Sequence, residues 1–358
     1  MIGKDVLSIM AFPRRGDSYT ECFYPALESL GVKVYEGIFA GRWLLQNLRS
    51  IDYVHLHWPS FFYHDQRRTK CLRKYALFLF FLALARWRGA RLIWTVHNLY
   101  PHDRCIIPPL DGLTRRLLIR MTARFAIHGP SAEGEVRRMF PAVAGRTILI
   151  DHGHYIGYYP NFITRSVARL KLGIADNDFV FLFIGLCKSY KNVEGLISAF
   201  EQLGGQPVLV IAGKFPNSKY EATIRAAVAR SRARIILHPG FVPDEDIQTY
   251  LHACDIVTAP YKEVLTSGTA MLALSFGRPV IAPAVGFLKD AVTEGSGLLY
   301  DASQLDGLKH AMQSAMRAKF DESRIIEHAK AHDWRQSAQR MIEGLPCLDR
   351  SGTSRATR

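Results

Sequence analysis

Two lysines, one hydroxyl-rich turn and several histidines carry most of the chemistry this sequence offers. The stretch GLCKSYKN places Lys188, Lys191 and Asn192 directly after an apolar run, Phe179–Gly185. Lysines in such a loop neutralise phosphate oxygens. Further on, PYKEVLTSGTAMLALS sets Tyr261 and Lys262 behind a second apolar run and opens a helix on Ser267, Gly268 and Thr269. A helix that starts on small residues leaves backbone N–H groups to an anion. The same residues also make an ordinary N-cap.

A second group suits acid–base work. RRGDSYTE holds Arg14, Gly16, Asp17 and Glu21, and VHLHWP holds His57 and Trp58. WTVHNLYPHD holds His97, His102 and Asp103, and DHGHYIGYYP holds His152, His154 and Tyr155. A single such histidine is usually a satisfied structural residue. Several, with a carboxylate among them, suit proton transfer or hydroxyl recognition.

The elements that position these residues alternate. Val6–Ala11, Tyr53–His57, Arg91–Val96, Arg124–His128 and Thr147–Asp151 read as strands, with helices at 21–30, 67–88, 111–121 and 131–139. A second strand series runs Phe179–Gly185, Pro207–Gly213, Arg234–His238, Ile256–Ala259, Pro279–Ala282 and Gly297–Tyr300. Its helices fall near 192–203, 217–231, 244–252, 267–276 and 304–318. Buried strand runs alternating with helices predict two doubly wound parallel sheets of the α/β class. Such sheets bind ligands beyond the C-terminal ends of their strands, where the groups above lie. The expected divisions are a first domain at 1–160, a second at 161–325, a C-terminal helix at 326–347 that packs back on the first domain, and a tail at 348–358.

Composition narrows the field. The chain has 358 residues, 48% hydrophobic and 22% charged, with a formal net charge of +14. That mix is globular rather than disordered or fibrous. Residues 1–160 carry 22 Lys+Arg against 12 Asp+Glu, and residues 161–358 carry 24 against 20. A basic first half points to nucleic acid, an acidic membrane surface or phosphorylated ligands. The six cysteines form no C-x-x-C pair, a pattern that fits a reducing, cytoplasmic compartment. Lys4 and Asp5 interrupt the N-terminus, so no secretion signal is read there.

The segment 67–91, RRTKCLRKYALFLFFLALARWRGAR, has an apolar core far short of the roughly 20 residues that span a bilayer. Basic residues flank it, which suits a helix lying on an anionic membrane surface. Arg67, Arg68, Arg73, Lys74, Phe78, Phe81 and Trp87 are the expected contacts; a buried helix with a basic rim is the alternative. There is no G-x-G-x-x-G after the first strand and no G-x-x-x-x-G-K-[ST]. Asp176-Asn177-Asp178 reads as a turn at the wrong sheet end for a ligand. No His/Cys cluster has metal-ligand spacing, so no metal is expected.

These segments resemble GT-B glycosyltransferases, two Rossmann-like domains facing across a cleft. FIGLCKSYKN, GFVPDEDIQTYLHACDIVTAPY, GRPVIAP and EGSGLLYD are similar to the large retaining family 4. Aligned on Gly277-Arg278-Pro279, the two glutamates of that family are replaced by Val264 and Leu272, and its usual Arg by Leu186. VHLHWP, TVHNLYPHD, DHGHYIGYYP and GLCKSYKNVEGLI resemble more closely the GumI-type β-mannosyltransferases of xanthan-like exopolysaccharide assembly. That resemblance implies an inverting, metal-independent transfer of mannose from GDP-mannose to a lipid-linked oligosaccharide diphosphate, at the cytoplasmic face of the inner membrane, with no cofactor beyond the donor. The expected mechanism rests the nucleotide base on Gly240–Pro243, with Phe241 and Val242, and the diphosphate on Lys188, Lys191, Lys262 and the Ser267–Thr269 amides. Asp103 is the expected base, His97 positions sugar hydroxyls, and Glu21 and Asp17 stand in reserve. Rival readings are a UDP-glucose or UDP-glucuronate transferase, a nucleotide-sugar epimerase and a basic nucleic-acid-binding protein. Nucleic acid is the least supported partner, since no recognition motif appears.

Overall fold

The computed structural model describes residues 6–37 and 51–346. The expected tail, 348–358, and Cys347 lie outside them. The chain forms two compact units. One holds the residues up to Ile127, Arg137–Ile150 and those from Arg335 on; the other holds His128–Val136 and Asp151–Trp334. The divisions fall after Ile127, Val136, Ile150 and Trp334; the sequence reading places them after residues 160 and 325.

The first unit is built on six parallel strands. They are β1 (Ser8–Phe12), β2 (Lys33–Glu36), β3 (Tyr53–Leu56), β4 (Arg91–Thr95), β5 (Thr122–His128) and β6 (Thr147–Ile150), in the order β2-β1-β3-β4-β5-β6. β1, β3 and β4 are buried almost throughout, as fits strands covered on both faces. Helices α1 (Ser18–Ser29), α2 (Arg68–Trp87) and α3 (Pro109–Met121) connect them, while α4 (Pro130–Met139), between β5 and β6, belongs mostly to the second unit. Asp17 caps α1 by accepting the Tyr19 N–H at 2.9 Å.

The second unit begins with α5 (Arg165–Leu172) and a second parallel sheet of six. Its strands are β7 (Val180–Ile184), β8 (Val208–Gly213), β9 (Ile235–Pro239), β10 (Ile256–Thr258), β11 (Val280–Pro283) and β12 (Gly297–Tyr300), ordered β12-β11-β10-β7-β8-β9. The helices are α6 (Val193–Glu201), α7 (Ser218–Arg230), α8 (Asp244–Ala253), α9 (Gly268–Ser275), α10 (Leu288–Ala291), α11 (Gly307–Ala315) and α12 (Glu322–Lys330). The fully buried Arg169 of α5 donates to Asp255 Oδ2 at 3.0 Å and to the carbonyls of Ala253, Ala175 and Asp176. A buried guanidinium is tolerated only when its donors are met in this way. Asp178 pairs with Arg234 at 2.7 Å, so the Asp176–Asp178 turn is a structural corner.

The last helix, α13 (Trp334–Gly344), closes the first unit. Arg124 Nε donates to the Gly344 carbonyl at 2.9 Å, and the Tyr53 hydroxyl donates to the Pro346 carbonyl at 2.7 Å. Helix α12 stays with the second unit, where Glu322 pairs with Arg278 and His328 Nε2 meets the Ala291 carbonyl.

Candidate active site

In the second unit the residues expected to hold phosphate converge on the end of β7. Gly185 follows that strand at φ +122°, a backbone that favours glycine. A Cβ there would lie 3.4 Å from Lys191 Nζ and 3.6 Å from Thr269 Oγ1. Lys191 and Thr269 therefore flank one point of backbone. The close approach extends to β8, since a Cβ on Gly213 would sit 1.8 Å from the Gly185 carbonyl oxygen.

Lys191 is positioned by a short 3-10 turn, Ser189–Lys191, which Asn192 ends at φ +57° before α6 begins. Its ammonium lies 5.1 Å from the centroid of the buried Tyr261 ring. Burial lowers its pKa, but the phenols of Tyr261 and Tyr190 outweigh burial and the net direction is upward. The group stays a cation at neutral pH. Lys188 precedes the turn with an extended backbone. Lys262 is differently engaged: Nζ pairs with Glu194 Oε1 at 3.2 Å, and Glu194 also accepts the Tyr220 hydroxyl. Its backbone N–H donates to the Tyr190 carbonyl at 2.8 Å, tying the two loops together.

Helix α9 starts on Ser267, whose Oγ accepts the Ala270 N–H at 3.2 Å. A Cβ on Gly268 would lie 3.4 Å from the Tyr155 hydroxyl and 3.7 Å from His152 Nε2. His152 and Tyr155 thus border the start of α9. Tyr155 is anchored through its N–H to Ser275 Oγ at 2.8 Å. His152 is buried, which holds its pKa down at about 4, and its Nδ1 faces the Gly153 carbonyl at 3.1 Å. The imidazole is neutral, protonated on Nδ1, and turns Nε2 towards Gly268. His154 plays a local part: Nδ1 accepts the Ile156 N–H, and its carbonyl accepts Trp334 Nε1. Phe241 is three-quarters exposed and Val242 half-buried beside it, an open apolar step suited to a base.

Three histidines of the first unit form one buried chain. Thr95 Oγ1 lies 2.7 Å from His55 Nε2, and His55 Nδ1 lies 2.9 Å from the Tyr24 hydroxyl. That hydroxyl lies 2.6 Å from His57 Nε2, and His57 Nδ1 lies 2.9 Å from His97 Nε2. The Tyr24 hydroxyl donates to one ring and accepts from the other, so the polarity of the whole chain is set as a unit. The Trp58 ring stacks on His97 with centroids 4.5 Å apart. His57, Trp58, His97, Asn98 and Arg115 line a small cavity of about 30 Å³. Arg115 is buried against the Trp94 ring and donates to the Asn98 carbonyl.

Asp103 is exposed and His102 half-buried on the loop between β4 and α3. The reserve carboxylates have structural duties: Asp17 caps α1, and Glu21 Oε1 accepts the Gly16 N–H at 3.1 Å. Arg14 pairs with Glu28 at 2.6 Å. Tyr24, His55, Thr95 and Arg115 were not expected at the site. His55 alternates with His57 on one strand face, which is the only sequence signal that could have found it.

Residues 165–333 match the family model described as glycosyl transferases group 1. The GDP-mannose:glycolipid 4-beta-D-mannosyltransferase of Xanthomonas campestris pv. campestris is 29% identical over 284 residues, covering 75% of this chain and 74% of that one. The D-inositol 3-phosphate glycosyltransferase of Rhodococcus jostii is 26% identical and covers 73% of this chain and 62% of its own length. Among solved structures, Anabaena HepE with UDP and glucose superposes at a TM-score of 0.69, with 17% identity over 94% of this chain and 98% of that one. Residues 165–333 are a glycosyltransferase group 1 domain, and the chain has the GT-B fold. The double parallel sheet expected from the sequence is that fold.

In this glycosyltransferase, α2 takes one correction. Phe78 and Phe81, expected among the lipid contacts, are buried: Phe81 packs on Phe12 with centroids 5.1 Å apart, and Phe78 on Phe62 at 5.8 Å. A helix that is apolar all round must bury one face, and the sequence did not say which. The exposed face carries Leu72, Leu77, Phe80 and Trp87 instead, flanked by the exposed Arg67, Arg68 and Arg73. Lys74 turns back to pair with Asp65 at 2.8 Å. No helix among the described residues is long and apolar enough to cross a membrane.

Proposed function

We propose that this glycosyltransferase moves mannose from GDP-mannose to a lipid-linked oligosaccharide diphosphate in exopolysaccharide assembly, with inversion at C1. The observation that carries the reading is the similarity to the Xanthomonas mannosyltransferase, which extends over three-quarters of both chains. Lys191, Lys188 and the amides at the start of α9 hold the donor diphosphate, and Lys262 helps from its pair with Glu194. Their fixed charge stabilises the leaving GDP without a metal. Phe241 and Val242 receive the guanine, and Tyr261 backs Lys191. Asp103 takes the proton from the acceptor hydroxyl as its oxygen bonds to C1 and the C1–O bond to the diphosphate breaks. His97, fixed by His57 and Trp58, orients the acceptor.

The acceptor's lipid suggests how the protein docks. The exposed apolar stripe of α2, with its arginines, rests on the anionic cytoplasmic face of the inner membrane. Incubation with GDP-mannose, UDP-glucose or UDP-glucuronate and a membrane extract from the producing cell tests the reading. Transfer from GDP-mannose alone, with a β linkage by NMR, is the expected result. Transfer only from a UDP-sugar, or donor conversion without acceptor, would overturn it. Asp103→Asn is expected to lower kcat about 10²-fold or more.

A further inference from the structure

A second polar cluster lies in the first unit, apart from the proposed donor residues. His64, Cys105 and Asp111 come from three separate segments, yet one ligand atom of each lies within 4.8 Å of the others. Cys71, on α2, places its Sγ 3.3 Å from Cys105 Sγ. Both thiols are buried and neither is in a disulfide. Two sulfurs on one tetrahedral zinc stand about 3.8 Å apart, given Zn–S near 2.3 Å; Cys71 lies outside the three-residue group and must turn towards it to become the fourth ligand.

The surroundings are those of a ligand set. Asp111 Oδ1 accepts the Tyr63 hydroxyl at 2.7 Å, and Oδ2 accepts the Cys105 N–H at 2.9 Å. These donors fix the carboxylate, as outer partners fix metal ligands. The Ile107 N–H points at Cys105 Sγ at 3.4 Å, a contact that favours a thiolate. His64 Nε2 sits 2.8 Å from Asp111 Oδ1, where a metal would take the place of the shared proton.

We propose that Cys71, Cys105, His64 and Asp111 bind a zinc-class divalent cation that pins α2 to the loop before α3. Two sulfurs, one imidazole and one carboxylate make a tetrahedral set suited to zinc. On binding, the two thiol protons pass to solvent, and the proton that His64 Nε2 shares with Asp111 moves to Nδ1 so that Nε2 can ligate. The ion is structural: it lies apart from the donor residues and takes no part in the bond-making step. The same loop carries Asp103, so the ion would hold the proposed base in place.

The test uses the full chain, purified reduced, dialysed against zinc and then against buffer. About one zinc per chain by elemental analysis is expected, with loss of binding in Cys105→Ser and His64→Gln. Tyr63→Phe should weaken affinity about tenfold. Cobalt added to the metal-free chain should give a thiolate-to-cobalt absorption band, which keeps the test alive if a variant does not fold. A folded chain that retains no zinc and gives no cobalt band would overturn the proposal. So would unchanged affinity in a folded Cys105→Ser, or a Cys71–Cys105 disulfide that forms as fast with zinc as without.

Discussion

His57 Nδ1 lies 2.9 Å from His97 Nε2, and both rings are buried in the first unit. Neither orientation is independent, because the Tyr24 hydroxyl bridges His57 to His55. Tyr24→Phe therefore leaves two buried ring nitrogens short of a partner. A loss of about 1–3 kcal/mol in unfolding free energy is expected, read by urea denaturation. If His97 orients the acceptor, the variant also raises the acceptor KM at temperatures where it is fully folded, while the donor KM stays unchanged.

Lys191→Ala should weaken donor binding by tenfold or more, as the loss of about 1.5–3 kcal/mol from a charged hydrogen bond implies. Calorimetry with GDP and GDP-mannose reads it. Gly185→Ala should act on the same constant by a different route. Its new Cβ would meet Lys191 Nζ and Thr269 Oγ1 only at ordinary contact distances, but the backbone φ of +122° is strained for alanine, so the loop that carries Lys191 must shift. Wild-type donor affinity in both variants would remove the β7 end from the donor site.

On α2, two phenylalanines should separate stability from membrane binding. Phe80→Glu, on the exposed stripe, should release the protein from anionic vesicles in a sedimentation assay and leave its melting unchanged. Phe78→Ala, in the core, should cost about 3–5 kcal/mol of stability and leave vesicle binding of the folded protein intact. Equal vesicle binding by Phe80→Glu and wild type would count against the docking surface.

Acid should destabilise both units. Burial holds His55 at about 3 and His152 at about 4, while an unfolded histidine titrates near 6.5. The unfolded chain therefore takes up these protons first. Stability is full above about pH 6.5 and falls as pH drops towards the folded values, by about 1.4 kcal/mol per pH unit for each ring. Urea unfolding at pH 7, 6 and 5 measures the slope, and His55→Gln should reduce it by about one proton.

The strands were legible because buried parallel strands are continuous apolar runs, such as VFLFI at β7. β2 was not, since KVYE is short and largely exposed and gives no such run. α5 was missed for a related reason: its only buried residues are Ala168 and Arg169, so its inward face is carried by a paired cation. The phosphate loops could be read because function there sits in contiguous residues. The Tyr24 bridge and the Cys71–Cys105 pair could not, because each joins segments more than 30 residues apart. Sequence spacing encodes neighbours along a strand or helix; it does not encode which distant segments share an interior.

The closure of the first unit by α13 bears on how the protein is made. The hydrogen bonds from Tyr53 to Pro346 and from Arg124 to Gly344 span 293 and 220 residues. At roughly 5–20 residues per second of synthesis, the first sheet, complete at Ile150, waits about 10–40 s for the helix that closes its unit. During that wait the second unit, contiguous from Asp151, can already form. Of the two units, the one whose synthesis starts first is thus the one finished last.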